Sequence, residues 1–260
     1  MAIPATYLIL FASLIAVISA TYSFAIVKIG SRGALLKTSV AKQNMQALDD
    51  AVHAVAWNLG ASSTVYMDDC GSVFQASPAA KSLTINFTDK DTFNNIVFNS
   101  SIGKTFYELE PSGTNYDGLF IRGDKRAIIN QSASTVTQLY YSADSDAEEL
   151  TLSYRPSATA TLISTNDGKP SNLIRIYIIN LNSSQNLMLT GKFYLKITTV
   201  NITTITRQYD FNNSLSSLAL KALFDGASST VQLPIVSNTD GAIVNLEIVI
   251  CNIKIQTVGV

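Results

Sequence analysis

The sequence predicts an α+β protein in which a long N-terminal hydrophobic α-helix is followed by an antiparallel β-sandwich-like globular domain. No charged residue occurs before Lys28, and apolar residues then recur at helical spacing as far as Leu59. Beyond Gly60, short β-branched and aromatic runs alternate with turn residues, as in a sandwich. We therefore divide the chain into a helix, residues 1–59, and a β-rich domain, residues 60–260.

The first part of the helix, residues 1–27, is an apolar core segment. Its run from Tyr7 to Val27 matches the about 20 apolar residues that cross a bilayer. A secretory signal peptide fits poorly, because it needs a charged start and a small-residue cleavage site followed by a change of character. The segment is therefore expected to be a membrane anchor or the spine of a filament.

The second part, residues 34–59, is an amphipathic continuation. Its apolar residues fall three or four apart along one helical face, at Ala41, Met45, Leu48, Val52, Val55 and Leu59. At 1.5 Å per residue, a helix of this total length reaches roughly 90 Å, so its second half must pack on its own domain or on a neighbouring subunit. Gly30 and Gly33 lie between the two parts, and each costs about 1 kcal/mol relative to Ala in a helix interior. This predicts a hinge there.

Composition limits the function. The formal net charge is -1 and charged residues make up 14% of the chain, which excludes the basic footprint of a nucleic-acid-binding protein. The remainder is rich in Ser, Thr and Asn, which favours an extracellular location. The first basic residues, from Lys28 to Lys42, instead follow the apolar run, and the positive-inside rule alone would place the β domain in the cytoplasm. Removal of a basic leader, leaving residue 1 close to a processed N-terminus, reconciles the two.

The β-rich region contains about eleven candidate strands, and residues 214–224 are either a further strand or a short helix. The candidates are residues 83–87, 96–98, 105–109, 119–122, 136–141, 149–154, 173–181, 187–200, 204–211, 230–236 and 242–258.

The two cysteines, Cys70 and Cys251, either close a disulfide across the domain or are two separate buried thiols. Asn-x-Ser/Thr sequons permit glycosylation without demonstrating it. They begin at Asn86, Asn99, Asn130, Asn182, Asn201 and Asn212.

The sequence contains almost no candidate catalytic residues. The only histidine, His53, is expected to be a solvated residue of the helix. The β domain therefore contains no histidine, which excludes a Ser-His-Asp triad there. The acidic runs 68–69 and 144–149 are read as solvated turns rather than calcium ligands. Residues 122–124 spell Arg-Gly-Asp, which is read as a strand-ending turn rather than an integrin motif. We expect no catalytic residue, metal or cofactor, and no enzyme.

The uncharged residues 2–27, with Pro4 near their start, and the amphipathic continuation into a β-rich region resemble the type IV pilin-like proteins, in particular the archaeal pilins and archaellins. The resemblance implies that a basic leader is cleaved and that the apolar helices then bundle into a filament core. Bacterial type IV pilins carry a glutamate near the mature N-terminus, whereas the first acid here is Asp49. Archaeal members commonly lack that glutamate, which favours the archaeal branch.

The resemblance implies a structural subunit of an extracellular filament, used for adhesion or surface attachment, self-associating as a helical homopolymer and anchored in the membrane before assembly. Its filament-core contacts are expected at Pro4, Ala5, Leu8, Ala12, Ile15, Ala16, Ser19, Ala20, Ser23 and Val27. The alternative is a monomeric membrane-anchored binding module that grips a surface-layer protein or a glycan. A surface hydrolase is the least favoured reading.

Overall fold

The computed structural model describes residues 2–89, 93–109, 117–130, 135–144, 147–164, 168–182 and 185–258. The chain begins with one helix, α1 (Ala2–Val55), and continues as a strand-rich domain. The strands are β1 (Ser62–Met67), β2 (Val73–Thr88), β3 (Asn94–Leu109), β4 (Phe120–Arg122), β5 (Ile129–Asn130), β6 (Thr137–Asp144), β7 (Ala147–Tyr154), β8 (Ser157–Ser164), β9 (Ser171–Asn180), β10 (Leu187–Leu189), β11 (Phe193–Phe211), β12 (Ser217–Phe224), β13 (Ala227–Pro234) and β14 (Ala242–Thr257).

Helix α1 is a single element of 54 residues that runs through both Gly30 and Gly33. It ends at Val55, before the predicted end at residue 59. Trp57 takes a positive φ of 69°, which a right-handed helix does not allow, and the Gly60 amide donates to the Thr199 carbonyl at 3.0 Å instead of continuing the helix. The apolar spacing extends to Leu59, but the backbone leaves the helix first.

The strands form two sheets. One has six strands in the order β1-β11-β14-β9-β8-β5, and the other has eight, in the order β13-β12-β2-β3-β7-β6-β4 with β10 paired to β2. Most pairs are antiparallel, as predicted, but β14 pairs with β9 and β5 with β8 in parallel. The purely antiparallel expectation is therefore wrong in the six-stranded sheet.

Several strands are longer than their sequence pattern indicates. The candidates at 96–98 and 105–109 belong to one strand, β3, and most of 187–211 is the single strand β11. Within residues 214–224, the ambiguous segment is strand β12 from Ser217. Strands β1, β5 and β8 had no predicted counterpart.

Both sheets contribute to two buried clusters. The first packs around the C-terminal half of α1 and includes side chains of β2, β7, β11 and β14. The second lies farther from the helix, between residues of β2, β9, β12 and β14. The domain therefore holds α1 at one end and extends away from it at the other.

Candidate functional site

The N-terminal part of α1 is a long exposed apolar surface. Every side chain from Tyr7 to Gly30 is exposed, including large apolar ones such as Leu8, which is 72% exposed, and Ile29, which is 71% exposed. By length and composition alone this helix is able to cross a membrane, a property that signal sequences share. A stretch of this size does not remain in water, because each large apolar side chain gains about 2 kcal/mol on leaving it.

The predicted filament-core residues lie on this exposed part. Leu8, Ile15 and Val27 are exposed, as are the small residues between them, and the backbone of Pro4 and Ala5 is helical. Small residues recur along one side of the segment, at Ala12, Ala16, Ser19, Ser23 and Gly30. At 100° per residue these positions fall within a narrow stripe.

Gly30 and Gly33 mark where the helix leaves the domain. A Cβ added at either glycine would meet nothing within 4 Å, so no side chain packs against them. Partial burial begins at Gly33 and Ala34. The helix shows no break at the predicted hinge, but the hinge position coincides with the boundary between its free and its packed part.

The predicted amphipathic seam is the packed face of α1. Ala41, Met45, Leu48 and Val52 are fully buried and Val55 is 2% exposed. Leu59 is 70% exposed, so its assignment to the seam is wrong. It lies beyond the end of the helix, where the helical spacing no longer determines which way a side chain points.

A buried carboxylate fastens this face to the domain. Asp49 is 1% exposed and its Oδ2 accepts a hydrogen bond from Arg122 Nη1 at 2.5 Å. Its Oδ1 accepts from Thr137 Oγ1 at 2.8 Å and from Tyr154 OH at 3.0 Å. Strands β4, β6 and β7 thus each supply one donor to the same helical side chain, which fixes the rotation of the helix against the sheet.

The electrostatics follow from this arrangement. Burial by itself would raise the pKa of Asp49, but hydrogen bonds from His53, Arg122 and Thr137 outweigh it and hold the pKa below its ordinary value. Burial, together with the Asp49 charge, raises the pKa of Tyr154 well above its ordinary value. The ionised carboxylate and the protonated phenol are therefore both maintained at neutral pH.

His53 is an exposed residue of the helix, as predicted, but it also contacts the domain. Its side chain is 41% exposed, yet Nε2 lies 2.8 Å from Thr137 Oγ1 and 3.4 Å from Asp49 Oδ1. It also helps line a cavity of about 240 Å³ beside Trp57, Arg155 and Tyr177. His53 belongs to the helix–domain junction.

The Arg-Gly-Asp tripeptide is a turn, as predicted, with Gly123 at a φ of 78° directly after β4. Arg122 contacts Asp49 and Asp50, while Asp124 pairs with Arg126 and with the fully buried Arg155. Hydrogen bonds from Arg126 and Arg155 hold the pKa of Asp124 well below its usual range, even though its partial burial opposes this. Both charges of the tripeptide are used inside the chain.

The cysteines are two free, buried thiols rather than a disulfide. Cys251 on β14 lies at the end of α1, where its Sγ is 3.5 Å from the Trp57 amide nitrogen. Cys70 lies after β1, and burial raises the pKa of its thiol. Both side chains belong to the buried cluster that packs around the C-terminal half of α1.

The sequon asparagines are not equally accessible. Asn99, Asn182, Asn201 and Asn212 are exposed, whereas Asn86 and Asn130 are partly buried. Asn201 Oδ1 accepts a hydrogen bond from Asn252 Nδ2 at 2.6 Å. Asn86 Oδ1 is buried.

The acidic runs do not form a metal site within the described residues. No group of three or more His, Cys, Asp and Glu side chains there is placed to hold a metal ion. Asp68 and Asp69 instead accept hydrogen bonds from nearby backbone amides, and Glu149 pairs with Lys104 at 2.8 Å. Residues 145 and 146 of the second run lie outside the described residues.

Comparison with known proteins gives no match: neither a family model, nor a curated protein, nor a solved structure matches the chain.

Proposed function

We propose that this chain is the structural subunit of an extracellular type IV pilus-like filament, in which the N-terminal helices bundle into the core and the β domains form the outer surface. The observation that carries the proposal is the apolar part of α1, which projects from the domain with every side chain from Tyr7 to Gly30 exposed.

Two environments satisfy such a segment, namely lipid and other copies of itself. Before assembly the membrane covers it, since the segment has the length and composition to span a bilayer. Lipid is as apolar as leucine, so transfer from lipid into a bundle gains little from hydrophobicity and depends on close packing. The stripe through Ala12, Ala16, Ser19 and Ser23 lets helix backbones approach closely.

The junction supports the same proposal, because a filament subunit needs a domain that stays fixed on its helix. The seam from Ala41 to Val55 and the bonds to Asp49 join the second half of α1 to the domain. The side chains that both sheets contribute to each buried cluster support the predicted sandwich arrangement for the outer domain. In this proposal the domain serves adhesion or surface attachment.

The alternative is a monomeric membrane-anchored binding module, which the length of the apolar segment equally allows. The two functions differ in what covers that segment in the mature state. An anchor keeps lipid around it and tolerates a larger apolar side chain, whereas a close-packed bundle does not.

The test uses substitutions at Ala16 in the protein produced in its native host. Ala16→Glu places a charge in the apolar segment and is expected to abolish filaments recovered by shearing the cells. Ala16→Leu remains compatible with lipid and is expected to lower filament yield severalfold, while the subunit stays in the membrane fraction. Gln43→Glu adds the same charge at an exposed position of the packed half and serves as the control.

The outcomes separate the two functions. Filaments from wild type and Gln43→Glu, few from Ala16→Leu and none from Ala16→Glu support the bundle. Abundant filaments from Ala16→Glu refute it. Recovery of wild type only as a detergent-extracted monomer supports the anchored binding module instead.

A further inference from the structure

We propose that the end of the β domain farthest from the exposed helix carries a binding site for a neutral saccharide, built on an aromatic floor formed by Phe93, Tyr209 and Phe211. This inference does not depend on whether the mature protein is a filament subunit or a monomer.

The position follows from the direction of β11. Its Thr199 hydroxyl donates to the Val55 carbonyl at the end of α1, at 2.8 Å. Earlier in the helix, Asn44 donates to the carbonyl of Asp68, and the neighbouring Met67 pairs with Phe193 at the start of β11. The N-terminal direction of the helix therefore points toward the Phe193 end of the strand. The strand continues the other way to Phe211, and at about 3.3 Å per residue this spans roughly 40 Å. The site and the apolar helix therefore lie at opposite ends of the molecule.

An open depression of about 720 Å³ occurs there, between the end of β11 and the start of β12. This volume falls within the range of small-molecule sites, roughly 300–1,000 Å³. The depression is lined by aromatic rings, by Leu215 and by the short polar side chains of residues 212–214, 216 and 217. This combination suits a ligand with one apolar face and many hydroxyl groups.

The floor is an aromatic cluster fixed from below. The ring centroids of Phe93 and Tyr209 are 5.2 Å apart at 72°, and those of Phe93 and Phe211 are 5.5 Å apart at 82°. Beneath them the fully buried Phe87 contacts both Phe93 and Tyr209. The three lining rings are themselves only partly buried. Such rings present an electron-rich face to the C–H groups of a pyranose ring.

The rim supplies hydrogen-bonding groups in fixed positions. Asp89 Oδ1 accepts from the Phe93 amide at 2.8 Å, which orients the Asp89 carboxylate. Asp210 Oδ1 accepts from Lys169 Nζ at 2.5 Å, which orients its carboxylate. Asn213 is exposed beside them and offers both an amide donor and an acceptor.

Charge decides which saccharides fit. The described residues that line the depression include two carboxylates, Asp89 and Asp210, and no Lys or Arg. Lys169, which donates to Asp210 and Asn212, offsets one of the two negative charges and leaves the other. Carboxylates accept hydrogen bonds from hydroxyl groups but repel a uronate or another anionic sugar. The site therefore favours neutral sugars over acidic ones.

The experiment is saturation-transfer NMR on the full-length protein in dodecylphosphocholine micelles, a detergent without a sugar headgroup. The neutral probes are the methyl pyranosides of glucose, galactose and mannose together with N-acetylglucosamine, and glucuronate is the anionic probe. We expect saturation transfer to the ring C–H protons of at least one neutral probe, and at least fivefold weaker transfer to glucuronate.

Variants locate the contact. Tyr209→Phe keeps the ring and is expected to bind within twofold of wild type, whereas Tyr209→Ala is expected to lose binding at least tenfold. Asn213→Ala, on an exposed residue that does not support the core, is expected to weaken binding about fivefold through the loss of one hydrogen bond. Gln208→Ala lies next to Tyr209 on β11 but outside the depression, and it should bind as wild type does.

Three results would overturn the proposal: no transfer to any neutral probe, transfer that survives both Tyr209→Ala and Asn213→Ala unchanged, or equal transfer to glucuronate and glucoside. Because the measurement uses the micellar protein, none of these results depends on filament formation.

Discussion

Replacing Asp49 with asparagine tests whether the buried carboxylate fastens α1 to the β domain. The substitution keeps the shape of the side chain but removes the charge that accepts hydrogen bonds from Arg122, Thr137 and Tyr154. Breaking one side of a buried ion pair costs about 3–5 kcal/mol. We expect the low end, about 3 kcal/mol, because the Arg122 side chain is 33% exposed and its other partner, Asp50, remains.

Asp50→Asn is the matched control. It removes a carboxylate that contacts the same guanidinium at 2.7 Å but is 68% exposed. An exposed ion pair contributes about 0–1 kcal/mol, so this variant should lie within that range of wild type. The two substitutions make the same chemical change one residue apart, and they differ chiefly in the burial of the carboxylate.

The assay is urea unfolding of the full-length protein at pH 7 in a fixed concentration of detergent, followed by the fluorescence of the only tryptophan. Trp57 lies just after α1 with its ring 5.4 Å from that of Tyr177, so its signal reports the helix–domain junction. A loss of about 3 kcal/mol lowers the midpoint by about 1–3 M, given urea slopes of about 1–3 kcal/mol/M. An Asp49→Asn midpoint no lower than that of Asp50→Asn would show that the buried carboxylate does not fasten α1 to the domain.

Three further predictions follow from the same contacts. Hydrogen bonds hold the pKa of Asp49 below its ordinary value of about 3.9, so the stability that Asp49 contributes should be complete above about pH 4 and lost as the pH falls through the lowered folded-state pKa. The urea midpoint of the wild-type protein should therefore fall over that pH range. An equal fall in Asp49→Asn would contradict this prediction. In the same assay, Leu48→Ala should destabilise the protein by about 2–5 kcal/mol and Leu59→Ala by less than about 0.5 kcal/mol, because Leu48 is buried and Leu59 is exposed. Equal effects would show that the buried face of α1 does not hold the helix on the domain. Iodoacetamide should modify Cys70 and Cys251 only after the protein is unfolded, as measured by intact mass. If the unfolded protein does not react until a reductant frees two thiols, the cysteines form a disulfide instead.

The helix and its packed face could be predicted because both depend on local periodicity. Spacings of three and four residues identify the same side of a helix whatever it packs against, so Met45, Leu48 and Val52 are all buried. The helix end could not be read in this way. Leu59 continues the apolar spacing, but the positive φ of Trp57 and the bond from Gly60 to Thr199 depend on a strand far along the chain.

The strand pairing was harder to predict, because it also depends on residues far apart in the sequence. An apolar run such as β9 or β14 indicates a buried strand but not which neighbour it takes or in which direction. The parallel pairing of Ile174 with Leu246 and of Ile176 with Ile248 is determined by how the chain between these strands leaves the sheet and returns. Nothing in either run distinguishes this from an antiparallel pair.

The buried contacts of Asp49 at the helix–domain junction were not predicted from the sequence, although the sequence contains one indication of them. Asp49 follows Met45 by four residues and precedes Val52 by three, so it is an acid on the apolar face of the helix. An acid at such a position needs a buried partner, since an unpaired buried charge is costly. The sequence does not say that this partner is Arg122, because the Arg-Gly-Asp turn reaches Asp49 only after β4 has been placed beside β6.

In the proposed filament, copies of the apolar part of α1 pack against one another in the mature protein. Cryo-electron microscopy of material sheared from cells tests it most directly. We expect a helical filament whose core consists of helices spanning residues 7–29, with one β domain per helix on the outside. Sheared material without such filaments, with the protein present only as monomers in the membrane fraction, would contradict it.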